Sequence, residues 1–210
     1  SRVFKVTGGD VSIANVTIRN GRPPQGDGGS SQNVMGTWDG GGVLVSSGTL
    51  TLSNSTVTAN AANDGGGQTG SRHGGGIASA GTLNLISSTV SENTAGDDGA
   101  VIYNSGTLNI ISSTISENTA GDDGAGIYSS GTLFMDGSVL KNNYDPTPIG
   151  GINGGGLYSN GDATLNNSTV TGNTADQGGG IVSHSTLTIT DSVISSNTAE
   201  YHGGGILISD

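Results

Sequence analysis

The chain has 210 residues, 40 of them Gly and none Cys, and 6 Lys and Arg against 17 Asp and Glu give it a net charge of −11. Only 31% of the residues are hydrophobic and 11% charged, while Gly, Ser, Thr and Asn fill more than half of the chain. This composition excludes a helical bundle, a charge-rich disordered chain, a disulfide framework and a nucleic-acid binder with a basic stripe, and no apolar run is long enough for membrane insertion as a helix.

In chain order, the sequence repeats itself. Ser1-Arg2-Val3-Phe4 runs directly into patterned sequence, with Phe4 starting a series that continues at Leu44, Ile77, Ile102, Ile127, Leu157, Ile181 and Ile206. Gly-rich triplets such as Gly74-Gly75-Gly76 and Gly203-Gly204-Gly205 precede most of these positions. The basic unit is 24–25 residues, and the longer steps are units with insertions. Each unit holds three short β-like pieces. The first is Ile77-Ala78-Ser79 or its equivalent, and the second is Gly-Thr-Leu-x-Leu, as from Thr82 to Leu85 and Thr107 to Ile110. The third runs from Ser88 to Asn93, Ser113 to Asn118, Ser168 to Asn173 and Ser192 to Asn197. Leu83 and Leu85 alternate with Thr82 and Asn84, the period of a half-buried strand.

One unit cannot bury its apolar face alone. Stacking three-strand units about 4.8 Å apart makes a solenoid with a thin column of Ile, Leu and Val inside. The expected fold is all-β: a right-handed single-stranded parallel β-helix of about seven to eight coils of 24–25 residues. It is read as one domain over residues 1–210 with no second domain. Loop insertions fall at about 21–40, 61–73 and 144–154, all between the third piece and the next Gly-rich corner, so stacking aligns them along one edge. Trp38 lies in the longest loop, as a ligand-loop residue or a plug folded on the solenoid side.

Asn60, Asn93, Asn118, Asn143, Asn173 and Asn197 share one column, where stacked carboxamides donate and accept along the axis as a structural ladder. Asp97-Asp98 recurs 25 residues on as Asp122-Asp123, which brings four carboxylates into adjacent coils. Oxygen-rich clusters suit Ca²⁺, and this corner is the candidate metal site, against the plain reading of a solvated turn. Asp64, Asp176 and Glu200 extend the same edge less regularly.

Catalysis has little support. His73 and His202 stand about five coils apart, and His184 is at another corner. Arg72 beside His73, with Asp97 and Asp98, is the one constellation that fits a Ca²⁺-dependent polysaccharide lyase. Outward Thr49/Thr51, Thr82/Asn84, Thr107/Asn109 and Thr186/Thr188 form a two-wide array of the kind an ice-binding face would present, interrupted by Phe134 and Asp162.

The Gly-Gly-x-Ile and Val/Ile-x-x-Asn pattern resembles the repeats of polymorphic outer-membrane-protein-type bacterial surface proteins, within the wider pectate-lyase-like β-helix superfamily. The resemblance runs through Ile77/Asn93, Ile102/Asn118, Ile127/Asn143, Leu157/Asn173 and Ile181/Asn197. Where those repeats usually carry Phe, this chain has Val90, Ile115, Leu140, Val170 and Ile194. The resemblance implies secreted or surface-displayed segments used for adhesion or as stalks, and it carries over no catalytic residue.

Phe4 and Val6 at one end and Ile206 and Ile208 at the other form open apolar edges, templates for pairing. They read as the polymer interface of a head-to-tail filament, or as the join to the remainder of a larger surface protein. The expected protein is a non-enzymatic structural or adhesive β-solenoid at the bacterial cell surface or outside the cell. A Ca²⁺-dependent polysaccharide binder or lyase is the alternative, and an ice-binding face a further one. Partners are the chain itself, a polysaccharide or a host or cell surface.

Overall fold

The computed structural model describes residues 1–23, 39–62, 73–96, 100–121, 123–144 and 153–209. Among these residues the regular structure is β throughout, with no helix. Strands of successive repeats pair in parallel, in register, as Ile102–Asn104 does with Ile77–Ser79 on one side and Ile127–Ser129 on the other. This arrangement is consistent with a β-solenoid.

The first and second pieces of the repeats belong to one 13-stranded sheet. They are joined through Val43–Ser53, a single strand of 11 residues that carries both pieces without a break and pairs with Phe4–Ala14. The third pieces form a seven-stranded sheet running from Thr17–Arg19 to Val193–Ser195. Behind the Asn column lies a fourth run that the three-piece reading does not anticipate. Thr94 bridges Thr119, Thr119 bridges Tyr144, and Tyr144 bridges Thr174, while Thr174–Gln177 pairs with Thr198–His202. The dipeptide-length pieces here, such as Thr94–Ala95, are too short to show alternation in sequence.

Registers fix the core columns. Ile77, Ile102, Ile127, Leu157 and Ile181 stack on one another and are buried. Val43, rather than Leu44, pairs with Ile77, so the second member of this series sits one residue earlier than expected. Leu44 instead pairs with Ala78. Leu50, Leu83, Leu108 and Leu133 make a second column, Leu52, Leu85, Ile110, Met135 and Leu165 a third, and Val57, Val90, Ile115, Leu140 and Val170 a fourth. In-register stacking lets each apolar side chain lie on its own kind in the next rung. A chain poor in apolar residues still closes a continuous core this way.

The corners explain the remaining composition. Among the described residues, the glycine that opens a first piece has positive φ, for example +71° at Gly74. A Cβ there would run into the Ile77 carbonyl. The two later corners hold left-handed residues of several types, Asn54, Ser87 and Asn167 at one and Glu92, Glu117 and Asn142 at the other. Asn and Asp tolerate this region because their short polar side chains bond locally.

Candidate functional site

Four features along the rungs bring polar or aromatic side chains together: two internal ladders, an acidic corner and an outer aromatic row.

The Asn column is a continuous hydrogen-bonded ladder. Asn118 Nδ2 donates to Asn143 Oδ1 at 2.9 Å and to the Val90 carbonyl at 3.1 Å, and its backbone N–H donates to Asn143 Oδ1 at 3.2 Å. The same set recurs from Asn60 through Asn173, with Asn197 Oδ1 receiving Asn173 Nδ2 at 3.0 Å. Asn60, Asn93, Asn118, Asn143 and Asn173 are buried, so the carboxamides belong to the interior and face no ligand. A second ladder runs beside it. The backbone N–H of Ser55 donates to Ser88 Oγ, Ser88 to Ser113, Ser113 to Ser138, Ser138 to Ser168 and Ser168 to Ser192, at 2.9–3.2 Å. Its period is visible in sequence at the head of every third piece, but Ser is too common in this chain for the recurrence to stand out.

The acidic corner is divided. Asp64, Arg72, Asp97, Asp98, Asp122 and Trp38 lie outside the described residues. Asp123 is described, and its Oδ1 accepts the Asn153 backbone N–H at 2.9 Å and Asn153 Nδ2 at 3.0 Å. Burial pushes the Asp123 carboxyl up from the ordinary range, against these two bonds and the field of His184, which pull it down. Asp39 has an equivalent role at its own corner: its Oδ1 accepts the His73 backbone N–H at 3.0 Å and lies 3.5 Å from His73 Nδ1. Both carboxylates therefore secure the backbone of the following rung immediately before a positive-φ glycine. Arg2 closes the Asp39 corner by donating through Nε and Nη2 to the Asp39 carbonyl. Among the described residues no group of three or more His, Asp or Glu side chains is placed to hold a metal.

The aromatic row is a feature that the sequence reading misses, although Tyr103, Tyr128 and Tyr158 each follow the core residue of a first piece. The rings of Tyr103 and Tyr128 stack at 5.1 Å and 2°, and those of Tyr128 and Tyr158 at 5.4 Å and 15°. His73 packs on Tyr103 at 4.1 Å and His184 on Tyr158 at 5.2 Å. The strand register sets the ring spacing, since these residues occupy successive rungs of parallel strands. Asn160 Nδ2 donates to Tyr128 Oη at 3.0 Å. Burial raises the Tyr103 hydroxyl from its ordinary range, helped by the fields of Tyr128 and Asp39 and opposed by a hydrogen bond with Ser130. The ring faces are used up on one another, so the row offers edges and hydroxyls rather than a flat stacking platform. His202 stands apart from both histidines, paired with Gln177.

The outward Thr and Asn side chains of the large sheet also bond among themselves. Asn84 Nδ2 donates to Thr51 Oγ1 at 3.0 Å, and Asn109 Nδ2 to Asn84 Oδ1 at 2.8 Å. Phe134 pairs with Asn109 and Thr164 and interrupts that column. Of the expected end residues, Phe4, Ile206 and Ile208 are exposed, but Val6 is buried against the core and presents no surface.

Residues 112–130 match the family model of the Chlamydia polymorphic membrane protein repeat. The matched segment contains the Ser113 and Asn118 ladder positions, Gly124 and the core residue Ile127, and is shorter than one repeat. It supports a repeat of that type and points to a bacterial surface or outer-membrane protein family. No curated protein and no solved structure matches the chain.

Proposed function

We propose that the chain is a non-enzymatic structural or adhesive segment of a bacterial surface protein, wound as a right-handed parallel β-helix of seven to eight coils. The observation that carries this reading is the unbroken run of in-register ladders, from Asn60 to Asn197 and from Ser55 to Ser192. Such ladders put the repeated side chains to use in rigidity. The polymorphic membrane protein repeat at residues 112–130 supplies the cell-surface context. Right-handedness follows the general preference of parallel crossover connections.

Protease shaving of intact cells that make this protein tests the location. Release of its peptides into the medium supports surface display, and release only after lysis overturns it. Adhesion is tested with beads coated with the purified chain, whose retention on other cells above that of uncoated beads supports the adhesive role. Head-to-tail association through Phe4, Ile206 and Ile208 is tested by electron microscopy, where filaments support it and single short rods overturn it.

A further inference from the structure

The corner between the second and third strands of each repeat carries a left-handed residue. Three of these are Asn15, Asn54 and Asn167, at φ 58°, 48° and 47°. In each the residue two places on is Thr, giving Asn15-Val16-Thr17, Asn54-Ser55-Thr56 and Asn167-Ser168-Thr169. Asn-x-Thr is the acceptor signature for attachment of a sugar to the Asn carboxamide. In a chain so rich in Asn, Ser and Thr such triplets arise readily, so their number carries nothing and their placement carries the argument.

The left-handed corner turns each Asn outward, and the strand that follows points the middle residue in and the Thr out. Asn15, Asn54 and Asn167 are exposed, as is Thr17, while Thr56 and Thr169 are half-exposed. Ser55 and Ser168, the middle residues of two of the triplets, are buried and committed to the serine ladder. Acceptor amide and hydroxyl thus stand on the same outer side of the chain. Among the described residues the carboxamides of Asn15 and Asn54 bond to no other residue, and Asn167 Nδ2 makes one exposed bond, 3.1 Å to Asp136 Oδ1. The fold also supplies an internal control. The overlapping triplet Asn166-Asn167-Ser168 has the same signature, but its Ser168 hydroxyl is buried and donates to the Asn166 carbonyl at 2.6 Å.

We propose that Asn15, Asn54 and Asn167 are N-glycosylation sites that line one corner of the stacked repeats. A separate transferase would use a sugar activated at C1 as a nucleotide or lipid diphosphate. The Asn Nδ2 attacks C1, the C1–N bond forms, the C1–O bond to the diphosphate breaks, the diphosphate leaves, and the amide loses one proton. Asn15 and Asn54 lie on adjacent rungs, since the Asn15 N–H donates to the Ser53 carbonyl beside Asn54. Their sugars would therefore touch, and Asn167 would carry a third further along the same corner. The inference rests on the surface reading only for the exposure of the chain to such a transferase.

The test is peptide mass spectrometry of the protein recovered from the cells that make it. Hexose or N-acetylhexosamine increments on Asn15, Asn54 and Asn167, with Asn166 bare, are expected. Thr17→Val, Thr56→Val and Thr169→Val should each abolish the increment at their own site alone, with the circular-dichroism melt unchanged. Bare Asn at all three sites overturns the proposal, as does sugar on Asn166 or sugar that survives the Thr→Val changes. The shaving experiment is scored separately, so failure of surface display and failure of glycosylation are told apart.

Discussion

Asn118 Oδ1 receives two donors from Asn93, the backbone N–H at 3.0 Å and the side-chain Nδ2 at 3.2 Å. One buried oxygen thus satisfies a main-chain and a side-chain group of the preceding rung. Asn118→Ala removes that acceptor and both of its own side-chain bonds, to Asn143 Oδ1 and the Val90 carbonyl, and so takes partners from buried groups on the two neighbouring rungs. The expected cost is about 3 kcal/mol, a fall of roughly 6–12 °C in melting temperature by circular dichroism. A fall under about 2 °C would mean that the ladder carries little of the stability.

Ser113→Ala tests the second ladder. It takes away one acceptor, the partner of the Ser88 N–H at 2.9 Å, while the hydroxyl's own bonds run to the Leu85 and Ile111 carbonyls. The loss should be smaller than at Asn118, about 1–2 kcal/mol. If the two substitutions cost the same by chemical denaturation, the difference drawn between the ladders is wrong.

Gly74→Ala should be more damaging than its size suggests. The φ of +71° disfavours any side chain, and the added Cβ meets the Ile77 carbonyl. A cost of at least about 2 kcal/mol is expected. Denaturant midpoints compared with those for Gly137→Ala separate φ alone from φ plus collision, because a Cβ at Gly137 meets only the Ser112 hydroxyl at 3.7 Å.

Tyr128 supplies the centre of the aromatic row. Tyr128→Phe keeps the stack and loses only the Asn160 bond, for under about 1 kcal/mol. Tyr128→Ala opens the row between Tyr103 and Tyr158, and about 2–3 kcal/mol should be lost together with much of the near-ultraviolet circular dichroism. An unchanged near-ultraviolet spectrum in the alanine variant would show that the rings are not held against one another in solution.

Asp123 gives a pH dependence of definite sign. Its carboxyl is raised above the ordinary value of 3.8, chiefly by burial. The folded state therefore holds the proton more tightly than the unfolded state. Stability from this group is fullest below 3.8 and falls as pH rises through the folded value. Asp123→Asn keeps an oxygen for Asn153 and removes the charge. The variant should melt above the parent at pH 7, and the gap should close as pH falls below 3.8. A gap that widened with acid would reverse the assignment of burial as the leading cause.

The repeat makes much of this legible. A period of 24–25 residues, alternating Leu83 and Leu85, and the Asn column together specify parallel in-register rungs, because each copy confirms the last. The errors lie where that redundancy lapses. Gly40-Gly41-Gly42 precedes two apolar residues, and the pattern does not say which of Val43 and Leu44 faces in; strand pairing selects Val43. The fourth run escapes because pieces such as Thr94–Ala95 have no alternation to read. In sequence the acidic corner suggests repelling charge, whereas Asp39 and Asp123 are both turned along the axis to receive the next rung's N–H. The aromatic row needs only a comparison of the position after Ile102, Ile127 and Leu157, where Tyr recurs at the repeat period.

The links between asparagines are vectorial: from Asn60 to Asn173 each Nδ2 donates to the Oδ1 of the next higher-numbered rung, and each Oδ1 from Asn93 to Asn197 accepts from the lower. Every rung therefore presents the same donor on one side and the same acceptor on the other. Copying or deleting a whole repeat leaves both junctions chemically identical to those already present. Unequal recombination between such units can lengthen or shorten the rod in single steps, with no compensating substitution, and a shift by a fraction of a repeat breaks every column at once.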